Sequence, residues 1–143
     1  MKTYHLMLQE KQSIKIQVPI LLSNLWVFLS LNYILCDLLS NMEMSVIRGL
    51  FDGNIAGIPM TQGFLLFAGI SLEIPFLMVV LSAVLPYMAN RRINIGAAIL
   101  MIIYQLTSFF VGSEITLHYI FFSVMVILGN IVILVLAVKW KRG

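Results

Sequence analysis

Four long apolar stretches, separated by short polar or turn-forming segments, constrain this chain more than any single residue does. They run from Val18 to Asn41, Thr61 to Leu85, Ile93 to Gly112 and Leu117 to Val138. Each approaches or exceeds the roughly 20 apolar residues needed to cross about 30 Å of hydrocarbon as a helix. Their ends carry the expected punctuation. Pro19 suits a helix start, Gly57-Ile58-Pro59 interrupts the chain before the second stretch, Pro86 ends it, and Gly112-Ser113 ends the third. The first stretch is too long for the core of a signal peptide, and no A-x-A-like cleavage site follows it. The expected fold is all-α: a polytopic membrane four-helix bundle, one domain over residues 18–143, preceded by a cytoplasmic segment over residues 1–17.

Composition agrees with that class. The chain is 61% hydrophobic and 10% charged, whereas soluble domains average roughly 25% charged residues. Its net charge of +3 does not call for nucleic acid, because basic residues beside membrane spans report topology. The single cysteine, Cys36, excludes an intrachain disulfide and a cysteine redox pair; within an apolar helix it reads as a packing residue. Lys2, Lys11, Lys15, Arg91, Arg92, Lys139, Lys141 and Arg142 all fall in segments that four crossings place on one side. The other side holds Arg48 with Glu43, Asp52 and Glu114. The positive-inside rule puts both termini in the cytoplasm of a multi-pass cell-membrane protein.

Between the first two spans, Ser40-Asn41-Met42-Glu43 has the spacing of a capping box ahead of Met44 to Phe51. A short helix at the outer interface is expected there, ending at Gly53-Asn54. Gly49, Gly53 and Gly57 repeat at four-residue steps and read as turns, since G-x-x-x-G packs helices only within an apolar span.

Small and polar residues mark the helix faces that touch protein in lipid. In the first span Ser23, Trp26, Ser30, Tyr33, Asp37 and Ser40 recur at three- and four-residue steps. The second offers Gln62, Gly69 and Glu73. The third offers Asn94, Ala98, Met101, Gln105, Ser108 and Gly112, and the fourth Tyr119, Ser123, Val126, Asn130 and Ala137. Four such stripes predict a polar interior. Counting about 1.5 Å per residue, Ser30, Glu73, Gln105 and Asn130 fall near mid-membrane and Asp37, Gln62, Ser108 and Tyr119 in the outer half. The inner half has fewer polar candidates, so an outward-facing pocket with an acidic floor is expected.

Glu73 is the most demanding member of this set. A carboxylate at the bilayer centre costs roughly 2.5–3.5 kcal/mol on insertion scales, and no basic residue shares its span. Its structural reading is a carboxyl hydrogen-bonded to Gln105 or Asn130; its functional reading is the anchor of a ligand. Asp37 either pairs with Arg48 as a clamp or joins Glu73 in a two-carboxyl site. Pro75 removes a helical donor, frees the Ser71 carbonyl and invites a kink. Trp26, Tyr33, Tyr104 and Tyr119 either pack helices or line the pocket. Tyr87 and Trp140 suit an interfacial aromatic belt. His5 and His118 do not form a haem or zinc pattern, and no phosphate loop, nucleophile elbow or nucleic-acid motif is present. No cofactor or metal is expected.

The runs Tyr33-Ile34-Leu35-Cys36-Asp37, Met60-Thr61-Gln62-Gly63-Phe64-Leu65-Leu66, Leu72-Glu73-Ile74-Pro75 and Tyr87-Met88-Ala89-Asn90-Arg91 resemble an uncharacterised family of small prokaryotic four-helix membrane proteins, a domain of unknown function. The likeness extends over about Leu21 to Trp140 and implies the fold without an activity. Asp37 and Glu73-Ile74-Pro75-Phe76 also resemble, more loosely, the emopamil-binding and sigma-2 receptor type of four-helix protein. That resemblance implies a buried acidic pocket for amines or sterol-like molecules. Tyr104 and Gln105 stand where that group carries an intramembrane histidine, so isomerase chemistry is not implied.

The expected function is binding or transport of a small apolar or cationic ligand in the membrane. Glu73 would anchor it, Asp37 would act from the outer side, and Tyr33, Gln62, Gln105 and Asn130 would orient it. Transport by so small a body implies a homodimer. Two alternatives stand beside this: an accessory subunit whose stripes only knit helices together, and an enzyme using Asp37 and Glu73 as an acid–base pair on a lipid-like substrate.

Overall fold

The computed structural model describes residues 17–55, 57–110 and 115–141. The expectations placed on residues 1–16, on Gly112-Ser113, on Glu114 and on Arg142 lie outside them. Among the described residues the chain forms five helices and one small ladder: α1 (Val18–Ser40), α2 (Met44–Phe51), β1 (Asn54–Ile55), β2 (Ile58–Pro59), α3 (Gln62–Val84), α4 (Tyr87–Ser108) and α5 (Leu117–Lys139).

The helix ends follow local chemistry. Proline lies in the first turn of α1, where its missing N–H costs nothing. Thr61 caps α3 by accepting from the Phe64 amide at 3.1 Å, and Thr116 caps α5 by accepting from Tyr119 at 3.4 Å. The third long helix departs from expectation. It begins at Tyr87, immediately after Pro86, and takes Arg91 and Arg92 into its first turns. Arg91 is not in a loop; it turns onto α5, with Nε 3.0 Å from the Ala137 carbonyl and a terminal nitrogen 2.9 Å from that of Val138. Those are carbonyls a helix end leaves without partners.

Three helices, α1, α3 and α5, are long and apolar enough to cross a membrane. That is one fewer than the four expected. Asn90, Arg91, Arg92, Asn94 and Gln105 make α4 the polar one of the long helices.

α1 packs between α3 and α5, α4 packs on α5, and α3 meets α4 only lightly. Leu22, Trp26, Leu29, Met78, Met101, Val126 and Ile133 fill the shared interior. α1 and α5 approach closely at Gly129, where an added Cβ would stand 2.6 Å from Leu29 Cδ2.

At the proximal end, where α1 begins and α5 ends, the interior is polar and buried. Trp26 Nε1 donates to Asn94 Oδ1 at 2.7 Å, and Ser82 Oγ donates to the same oxygen at 3.1 Å. Asn94 Nδ2 donates to the Asn90 carbonyl and to Asn90 Oδ1, while Asn90 Nδ2 reaches the Ser82 carbonyl at 2.7 Å. Trp26, Ser82, Asn90 and Asn94 have no exposed surface. The proximal half, where few polar candidates were expected, therefore holds a buried hydrogen-bond network that joins three helices. Tyr87 closes that end, donating to the Trp140 carbonyl at 2.9 Å with the two rings edge to face.

The segment between α1 and α3 forms the short helix expected, but not the capping box. Glu43 occupies the N-cap position without a side-chain cap, and Ser40 remains in α1. Gly53 and Gly57 have φ of 67° and 83°, the left-handed turns that frame the β1–β2 ladder. Gly49 is no turn: it lies within α2, where a side chain would collide with the Asn54 carbonyl.

Candidate functional site

At the distal end the helices part around a cavity of about 250 Å³. α1 contributes Tyr33, Cys36 and Asp37; α3 contributes Phe64, Ala68 and Leu72; α4 contributes Tyr104, Gln105 and Ser108; α5 contributes Tyr119, Phe122 and Ser123. Tyr33, Asp37, Gln105, Ser108, Tyr119 and Ser123 come from the stripes that the sequence marks on α1, α4 and α5, because steps of three and four residues keep one face inward; Cys36, Tyr104 and Phe122 adjoin them.

One wall is tied by hydrogen bonds. Gln105 Nε2 donates to Ser123 Oγ at 2.9 Å and to Ser108 Oγ at 3.3 Å, and Ser108 shares a hydrogen bond of 2.5 Å with the Tyr119 hydroxyl. This links α4 to α5 and sets the Gln105 amide against the cavity. Tyr33 on α1 and Asn130 on α5 are both buried, and among the described residues neither the Tyr33 hydroxyl nor Asn130 Oδ1 has a hydrogen-bond partner. Asn130 Nδ2 turns back along α5 to the Val126 carbonyl. Asp37 is exposed at the lip, and among the described residues no hydrogen bond or ion pair reaches its carboxylate. The expected clamp to Arg48 is not formed. Glu43 Oε1 instead lies 3.6 Å from His118 Nδ1. Ser40 and Thr116 stand 3.3 Å from the other ring nitrogen of His118, which fastens the distal ends of α1 and α5 together.

The structure thus brings Tyr33, Asp37 and Gln105 to one cavity and sets Asn130 behind it. Gln62 and Glu73 do not join them. Both are exposed on the outward face of α3, with Gly69 between them. The inward face of that helix is Ser71, Pro75, Met78 and Ser82, all buried. Two residues along a helix turn the side chain by about 200°, so a helix that buries Ser71 must present Glu73 outward. Two small serines and a proline at four- and three-residue steps carry the signal for the true face, and they outweigh one carboxylate. Ser71 Oγ bonds the Phe67 carbonyl at 2.9 Å and leaves its own freed carbonyl alone. Because Asp37 and Glu73 point to different places, the two-carboxyl arrangement required for acid–base work is not assembled. Tyr104 and Tyr119, which sequence alone left between packing and lining, both line the cavity.

Fold and site define a helical protein with three helices able to span a membrane and a cavity, walled by tyrosines, at one end of its interior. The family model described as "Family of unknown function (DUF6326)" matches residues 12–143, and the chain belongs to that family. No curated protein and no solved structure matches it.

Proposed function

We propose that the chain is a cell-membrane protein, a single four-helix bundle that crosses the bilayer four times, and that its distal cavity binds a small cationic molecule with an apolar body. α4 is the fourth crossing. Between Ile93 and Leu106 its exposed residues are Ile93, Gly96, Ile99, Leu100, Ile103 and Leu106, all compatible with lipid, while Asn94 and Gln105 are buried. Basic residues at the proximal end put both termini in the cytoplasm and the cavity toward the outside. A reporter fused after Gly143 should then read cytoplasmic.

The observation that carries the ligand reading is the Asp37 carboxylate, unpaired at the lip of a cavity walled by Tyr33, Tyr104 and Tyr119. A carboxylate supplies charge and aromatic faces attract a desolvated cation, while Phe64, Leu72 and Phe122 accept the apolar part. The volume lies below the roughly 300–1,000 Å³ of drug-sized pockets, which limits the ligand to a small amine. The cavity supports this reading over a purely structural subunit, whose interior would be filled at both ends.

The test is calorimetric binding of protonated phenethylamine and of its neutral isostere to the protein in lipid nanodiscs. A charge-assisted contact is worth about 1.5–3 kcal/mol, so Asp37→Asn should weaken the amine roughly 10- to 100-fold and leave the neutral compound unchanged. Equal affinity of wild type and variant for the amine, or no binding to either, would remove the reading.

A further inference from the structure

We propose that Gln105 makes the cavity selective for primary amines, its side-chain oxygen accepting a second N–H from the ammonium group that Asp37 holds by a first. The inference rests on the ligand reading above and deepens it. The hydrogens along the wall shared by α4 and α5 are few enough to count. Ser108 Oγ lies 2.6 Å from the Gln105 backbone carbonyl, and a carbonyl has no hydrogen to give, so the Ser108 hydroxyl spends its only one there. Towards its other neighbours Ser108 is an acceptor. The Tyr119 hydroxyl, 2.5 Å away, donates to it, and the end of the Gln105 amide that approaches it at 3.3 Å must be the nitrogen. The second hydrogen of that nitrogen goes to Ser123 Oγ at 2.9 Å. Nε2 is therefore used up, and partners on both helices fix which way the amide points.

Oε1 is what the side chain has left. Gln105 is only 6% exposed and lines the cavity, and among the described residues no donor reaches this oxygen. Nor is it sealed in, as the Tyr33 hydroxyl and Asn130 Oδ1 are. It is an acceptor open to the cavity. Asp37 stands at the same height. α1 ends at Ser40 and α4 at Ser108, and these two serines meet His118 and Tyr119, successive residues of α5. Asp37 and Gln105 each lie three residues before those ends, and both line a cavity of about 250 Å³. So small a space keeps the head group of a bound amine near both. Two acceptors on different helices call for two N–H donors. A primary ammonium has three; a dimethylammonium has one, which the carboxylate takes as the stronger acceptor. The tyrosines by themselves would choose the other way, since aromatic cages suit methylated ammonium groups.

Calorimetry in lipid nanodiscs at neutral pH, with phenethylamine and N,N-dimethylphenethylamine as probes, measures that choice. Both are protonated, share one apolar body and can donate to Asp37. A hydrogen bond between a charged and a neutral group is worth roughly 10-fold or more in affinity, so the primary amine should bind at least about 10-fold more tightly. Gln105→Met keeps the volume and removes the oxygen. It should bring the ratio close to one by weakening the primary amine, while the dimethyl compound keeps its affinity and so reports a folded cavity. A wild-type protein that binds the dimethyl compound as tightly as the primary amine, or more tightly, would overturn the proposal without any variant. A preference that survives Gln105→Met would overturn it too, because cavity size would then set the selectivity. In either case, weakening of both amines by Asp37→Asn would leave the ligand reading standing. Failure of the wild-type protein to bind either amine would remove both.

Discussion

Replacing Asn94 with alanine should loosen the proximal end more than any other single polar substitution in the interior. The side chain accepts from Trp26 on α1 and Ser82 on α3 and donates to Asn90 within its own helix. Two of these bonds join different helices. In membrane proteins an interhelical hydrogen bond averages about 0.6 kcal/mol and reaches about 1.7 kcal/mol, so the two together are worth about 1–3 kcal/mol. The indole N–H and the Ser82 hydroxyl have no exposed surface, so water cannot replace Asn94. The loss therefore belongs at the upper end of that range, about 2–3 kcal/mol. Reversible unfolding in mixed micelles, followed by helical circular dichroism, measures it directly. A double-mutant cycle with Trp26→Phe isolates the α1–α4 bond, with an expected coupling of about 0.6–1.7 kcal/mol. A destabilisation below about 0.5 kcal/mol with no coupling would show that the network is not what holds the proximal end together.

Gly129→Ala should force the buried Leu29 side chain to repack, because its Cβ would stand 2.6 Å from Leu29 Cδ2; overpacking of this kind costs about 1–3 kcal/mol. Thermal unfolding should show the loss, and Leu29→Ala in the same chain should recover part of it. Tyr33→Phe removes a buried hydroxyl that has no partner, so stability should stay constant or rise, and a fall in amine affinity would identify that hydroxyl as a ligand contact. Arg91→Lys keeps the charge but gives up one of the two carbonyl contacts at the end of α5; hydrogen exchange in the last turn of that helix should quicken, while the cavity end stays protected.

Much of the helix layout is legible in the sequence because the punctuation is local. Pro19 announces a helix start, and Gly57-Ile58-Pro59 a break before the next helix, through backbone geometry whatever surrounds them. α4 was harder to place because Pro86 does two things: it stops α3 and opens the next helix. Arg91 and Arg92 suggest a loop only when their partners on α5 are unknown, since the Ala137 and Val138 carbonyls lie 46 and 47 residues away. At the site, periodicity found the inward faces of α1, α4 and α5, and so brought Tyr33, Asp37 and Gln105 together. It misdirected α3. A carboxyl in an apolar stretch was expected to hide within its own chain, but Ser71, Pro75, Met78 and Ser82 bury the opposite face. That choice depends on how four helices interlock and cannot be read from one helix alone. The Trp26–Asn94 bond spans 68 residues and is invisible for the same reason.

The position of α5 has a consequence for biosynthesis. Made after α1, α3 and α4, it alone contacts both α1 and α4 closely. It also brings the acceptors for Arg91, the hydroxyl partner of Gln105, and the Trp140 carbonyl for Tyr87. Without α5, Arg91 and Tyr87 lack the carbonyl acceptors they use here, and Gln105 keeps only Ser108 of its own helix. Synthesis of α5 and burial of these polar groups are thus coupled. Products truncated before α5 should be cut more readily by proteases than chains in which it has docked.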